Sequence, residues 1–111
     1  MTHGKAIFVL LLAAALEAGG DAILRVALHT SAVWPRVLLF VAAAGLLFSY
    51  GYAVNAPPWD FGKVLGLYIV FFFVVAQLVS WIVFKQAPST SVWIGGLMIL
   101  GGGMVIAAAQ P

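Results

Sequence analysis

Apolar residues occupy this chain in four long blocks separated by three short polar stretches. The first block runs from about Ala6 to Leu24 and is interrupted only by Glu17, the pair Gly19-Gly20 and Asp21. His29, Thr30 and Ser31 mark a loop, after which Trp34-Pro35-Arg36 reads as an interfacial aromatic, a proline at a helix start and a basic anchor. A second block follows to Val54. The stretch from Asn55 to Asp60, with Pro57, Pro58 and Trp59, breaks any helix. The third block begins near Phe61 or Lys63, carries the uninterrupted run Tyr68 to Val75 and ends near Phe84. Pro88, Ser89 and Thr90 lie in the last loop, and the fourth block begins at Val92. A bilayer core about 30 Å thick takes about 20 apolar residues per helix. The blocks therefore predict four spans at about 6–27, 36–54, 61–84 and 92–109, in one domain covering 1–111.

Composition removes the soluble alternative. The 111 residues are 65% hydrophobic and 7% charged, whereas a soluble domain carries roughly a quarter charged residues. The expected fold class is an all-α membrane protein of four transmembrane helices with short loops, with no length left for a soluble domain. Short connections make consecutive helices antiparallel neighbours and put both termini on one side. Lys5 followed by Ala6 to Leu16 also has the look of a secretory signal peptide. The continuation of the apolar run to Leu24, and the three spans beyond it, favour a membrane helix.

The net charge of +2 comes from basic residues scattered along the chain, and no block resembles a nucleic-acid surface. The basic residues bear instead on topology. Lys5 and Lys63 fall on the terminal side, Arg25, Arg36 and Lys85 on the other. This near balance gives the positive-inside rule little to act on, so both orientations are insertable. With no cysteine, disulfides, thiolate catalysis and zinc–thiolate sites are excluded.

A carboxylate deep in a span costs several kcal/mol on insertion scales, roughly +2.5 to +3.5 for Asp, and is a functional-site hypothesis by default. Glu17 is such a residue. It reads either as a proton or cation site or as a buried carboxylic acid hydrogen-bonded to another helix. A carboxyl group that loses hydration favours its neutral form, which suits exchange of a proton for a cation. Asp21 and Arg25 follow at intervals of four, so the three side chains form one helical stripe that must face protein or water. Asp21 and Arg25 can pair one turn apart, or Arg25 can reach to the interface with Asp21 solvated beside it. Gly19 and Gly20 allow close helix approach beside the acid, or a local bend.

In the third span Tyr68, Phe71, Phe72 and Trp81 offer aromatic faces to an organic cation, or serve as ordinary packing and lipid-facing residues. Tyr68 is the strongest candidate because its hydroxyl needs a partner when buried. Ser49, Tyr50, Gln77 and Ser80 are further polar groups able to line a cavity. The fourth span carries glycines seven residues apart, as Gly95 with Gly102 and Gly96 with Gly103, and no charged residue. Small residues on one stripe let helices touch closely, either in a dimer interface or inside the monomer.

These pieces together resemble the small multidrug resistance family of proton-coupled exporters, within the wider drug and metabolite transporter group. The likeness spans nearly the whole chain. It rests on Glu17 in the first span, Arg25 eight positions on, Trp34-Pro35 opening the second, Ser80-Trp81 with Phe84 and Gln86 closing the third, and the glycine heptad of the fourth. The resemblance implies an antiparallel, dual-topology homodimer in the bacterial inner membrane. It assigns proton and substrate binding to Glu17 and places Tyr68 where a third-helix tryptophan is usual. Leu65 stands where the family has a tyrosine, and Asp21 where a small polar residue is typical. Gly62-Lys63-Val64, with Tyr68, also looks like a less characterised set of four-helix proteins related to the family.

The expected function is proton-coupled export of small or hydrophobic organic cations by a multi-pass protein. Glu17, Tyr68 and Trp81 are the binding residues, Asp21 and Arg25 a supporting polar stripe, and Gly95, Gly96, Gly102 and Gly103 the dimer contact. The expected partners are the lipid bilayer, a second copy, an organic cation and protons. A non-transporting membrane subunit, a heterodimer partner or an accessory to a lipid-linked carrier with a structural Glu17, is the alternative. No Ser/His/Asp set, metal cluster or phosphate loop points to an enzyme, His3 and His29 lie near helix ends, and no cofactor or metal is expected.

Overall fold

The computed structural model describes residues 1–108. It is all-helical over those residues: α1 (His3–Leu28), α2 (Val33–Val54), α3 (Phe61–Ile82) and α4 (Thr90–Ala108). Each helix is long and apolar enough to cross a membrane, so the chain is a multi-pass membrane protein. The expected end of the fourth span at Ala109 lies outside the described residues.

The starts of α1 and α4 follow capping chemistry more than hydrophobicity, whereas α2 and α3 begin without a side-chain cap. The Thr2 hydroxyl accepts from the Lys5 backbone N–H at 3.2 Å, which starts α1 three residues before the apolar run at Ala6. Ser89 caps α4 in the same way, accepting from the Val92 N–H at 3.3 Å, and this sets the helix start at Thr90. At the other end of α3 the Gln86 N–H donates to the Ser80 carbonyl at 3.0 Å, six residues back, while the Ser80 hydroxyl donates to the Gln86 carbonyl at 3.1 Å. That closure needs a left-handed residue just past the helix. Lys85 supplies it with φ 58°.

Packing is organised by small residues. Ala6, Leu10, Ala13 and Ala14 are buried on α1, and alanines on that face let neighbouring backbones come close. α1 packs on both α2 and α3, with a narrower α2–α3 contact. Gly20 lies under α2, where an added methyl would come within 2.8 Å of the Leu47 side chain; Gly19 points into open space. The pair is thus used for close approach on one side only. Leu10, Ala13, Ala14, Val54, Val64 and Tyr68 form the central cluster.

α4 touches only α3 among the described helices. Phe73 covers Gly96 and Val70 covers Gly103, so one glycine stripe is used inside the chain. Gly95 and Gly102, on the adjacent stripe, have no neighbour within 4 Å. At the end of the molecule that carries the N-terminus, Trp59 lies between His3, whose ring centroid is 5.7 Å away, and Lys63, whose Nζ is 5.4 Å from its ring. An aromatic flanked by two basic side chains suits a headgroup region.

Candidate functional site

Three helices converge on Glu17. α1 holds it near the midpoint of its length, within about 2–3 Å along the axis at 1.5 Å per residue. α3 presents Tyr68, whose hydroxyl donates to Glu17 Oε1 at 2.7 Å. α2 presents Tyr50, whose ring centroid is 5.6 Å from that of Tyr68. Phe72, one turn further along α3, stacks on Tyr68 at 6.2 Å. The Tyr68 side chain is 4% exposed and held by both rings, so its hydroxyl has little freedom to leave the carboxyl group. Glu17 itself is half-buried.

One turn beyond Glu17 the polar stripe opens into a groove between α1 and α3. A cavity of about 180 Å³ is lined by Ala18, Asp21, Arg25 and Ala22 from α1 and by Phe72, Ser80, Phe84 and Gln86 among others from the α3 side. A second cavity of about 340 Å³, which shares Arg25, Phe84 and Gln86 with the first, continues past His29 and Thr30. α1 and α3 run in the same direction, so both cavities lie toward the end that bears the α1–α2 and α3–α4 loops. The groove leads from that surface toward the middle of the span.

Asp21 and Arg25 are both exposed to this groove. Among the described residues they form no ion pair with each other. The Arg25 guanidinium lies instead 5.7 Å from the Phe84 ring centroid, a cation–π distance. Asp21 makes no hydrogen bond among the described residues. Of the two arrangements open to the sequence, the Asp21–Arg25 pair is not formed, and Arg25 lies over Phe84 instead.

The structure brings Glu17 and Tyr68 together and places Trp81 elsewhere. Trp81 is 51% exposed and lines a separate apolar cleft of about 170 Å³ between α3 and α4, with Phe73, Trp93 and Leu97. Gln77 belongs to that cleft as well. Ser49 is turned back on its own helix, donating to the Gly45 carbonyl at 2.8 Å. Phe71 and Leu65 pack against the central cluster. Arg25 over Phe84 is a contact that sequence spacing does not pair, because the two residues meet only through the α1–α3 packing. Among the described residues no group of three His, Cys, Asp or Glu side chains could hold a metal ion.

Chemically, the arrangement is a carboxyl group at mid-membrane depth, held by a phenol inside an aromatic wall, with a second carboxyl group one turn nearer a groove that reaches the surface. Such a set can bind and release a proton and attract a cation. No protein-family model, curated protein or solved structure matches this chain.

Proposed function

We propose that this chain is a secondary transporter of the small multidrug resistance kind, moving small or hydrophobic organic cations out across the bacterial inner membrane in exchange for protons. The observation that carries the reading is the Tyr68–Glu17 contact at 2.7 Å, midway along α1 and one turn from a groove open to one surface. An acid placed at that depth is costly, and function is the usual reason for keeping it. The working unit in this reading is an antiparallel homodimer. Two facts support it: α4 is attached through α3 alone among the described helices, and Gly95 and Gly102 leave an uncovered small-residue stripe on its outer side. Two copies would bring two Glu17 carboxyl groups into one chamber, where they titrate as a coupled pair and protons compete with the substrate cation. Exchange of two asymmetric states of the dimer then gives alternating access. No chemical conversion of the substrate is involved.

The test is purified protein in proteoliposomes, with lumenal pH followed while guanidinium or bulky quaternary ammonium cations are added. Wild type should couple cation movement to proton movement, and Glu17→Gln should abolish the coupling while remaining folded. Absence of proton flux with every cation would overturn the reading. A second reading, a non-transporting subunit in which Glu17 is structural, is favoured by the same hydrogen bond, since Tyr68 satisfies the acid within one chain. In that case Glu17→Gln, which keeps an acceptor for the phenol, costs little in assembly or stability.

A further inference from the structure

Asp21 and Arg25 give the groove a polarity that a plain cation does not require. They are four residues apart on one face of α1, about 6 Å along its axis, and both line the 180 Å³ cavity. They are not paired with each other, so neither neutralises the other inside it. With α1 laid across a bilayer, Arg25 falls about 14 Å from the helix midpoint and Asp21 about 8 Å, against a hydrocarbon half-thickness of about 15 Å. The positive group is thus at the mouth and the negative group is deeper.

We infer that this groove binds a small water-soluble zwitterion, with its ammonium group on Asp21 and its carboxylate on Arg25. Each end meets an opposite charge in a partly desolvated cleft, where charge-assisted hydrogen bonds are strongest. Phe72 and Phe84 form the walls, and the Phe72 ring supplies an electron-rich face beside the ammonium end. A cavity of about 150 Å³ accommodates benzene, so 180 Å³ suits a molecule of roughly six to eight heavy atoms. The α-carbons of Asp21 and Arg25 are about 6 Å apart along the axis, and an extended ω-amino acid of four or five carbons is the probe on that scale. The wider cavity at His29 and Thr30 serves as its vestibule.

The order of charges also selects between two sources of zwitterion. A phosphatidylethanolamine headgroup has its phosphate on the acyl-chain side and its ammonium toward water. That is the reverse of Asp21 deep and Arg25 outside. A soluble molecule entering ammonium-first has the matching sense.

The inference goes beyond the transport reading, in which a cation competes with protons at Glu17: it gives the outer groove a separate, net-neutral ligand whose binding is measurable without transport. Calorimetric titration of the full chain in phosphatidylglycerol nanodiscs with 5-aminopentanoate, pentylamine and pentanoate separates the charge requirements. The zwitterion should bind at least about tenfold more tightly than either singly charged analogue. Asp21→Asn should reduce it to the pentanoate level and Arg25→Gln to the pentylamine level, with Arg25→Lys retaining most of the affinity. If either neutral variant fails to fold, the three-ligand comparison on wild type decides alone. Equal affinity for pentylamine, no saturable binding, or indifference to both neutral variants would overturn the inference. So would loss of 5-aminopentanoate binding in nanodiscs of phosphatidylethanolamine, which would give the groove to a lipid headgroup. A chain that binds the zwitterion but moves no protons keeps the groove and loses only the transport reading.

Discussion

Replacing Tyr68 with Phe removes one oxygen atom and leaves the ring where Tyr50 and Phe72 hold it. The hydroxyl lost donates to Glu17 Oε1 at 2.7 Å across two helices whose residues are far apart in sequence. At that length, with the side chain almost fully buried, the bond belongs in the upper part of the range for a net hydrogen bond, about 0.5–1.5 kcal/mol for neutral and 1.5–3 for charged partners. Interhelical bonds in membranes average about 0.6 kcal/mol and reach about 1.7 in double-mutant cycles, because the unfolded helices also find partners in the bilayer. Together these limits give about 1 kcal/mol of coupling, roughly a fivefold change in the folded ratio. The assay is a cycle of Tyr68→Phe, Glu17→Leu and the double variant, with unfolding free energies measured in mixed micelles. Tyr68→Phe should destabilise the wild-type background by about 1 kcal/mol, since an acid oxygen is left unpaired. In the Glu17→Leu background the same change should be nearly neutral. A coupling below about 0.3 kcal/mol, under the usual additivity error, would refute the claim that this contact joins α1 to α3.

Two further substitutions test the packing and the α3 terminus. Gly103→Ala places a methyl on Val70 and should cost about 1–3 kcal/mol through overpacking. Gly102→Ala meets open space and should be neutral or gain up to about 1 kcal/mol of helix propensity; equal effects of the two in monomer unfolding would contradict the α3–α4 register. Lys85→Gly removes the left-handed strain at φ 58° and should raise stability by about 0.5–1 kcal/mol net of the entropy that glycine adds to the unfolded chain. A lower midpoint in thermal unfolding would show that Lys85 contributes something its backbone conformation does not reveal.

The spans are legible in the sequence because lipid demands length and apolarity, and little else competes with that signal. Their ends are less so. Hydrophobicity places the first start at Ala6, whereas the Thr2 cap starts α1 at His3. α3 ends at Ile82, because Ser80 and Gln86 close the helix through a left-handed lysine, and no glycine stands there as a stop signal. The need of Tyr68 for a polar partner can be read from its hydroxyl, but the identity of that partner depends on the α1–α3 packing. The glycine heptad is ambiguous for a geometric reason. Gly95 and Gly96 point about 100° apart on a helix, and sequence spacing treats their two stripes alike, while the structure uses one against α3 and leaves the other open.

The attachment of α4 through a single interface has a consequence for biogenesis. The contacts among α1, α2 and α3 are complete without it, so a nascent chain can assemble its first three helices, Tyr68–Glu17 contact included, before the last one leaves the ribosome. α4 then joins an already formed unit along α3 alone, and its outer face, with Gly95 and Gly102, is still open when that docking is complete. In the proposed homodimer, that is the face a second copy would meet first.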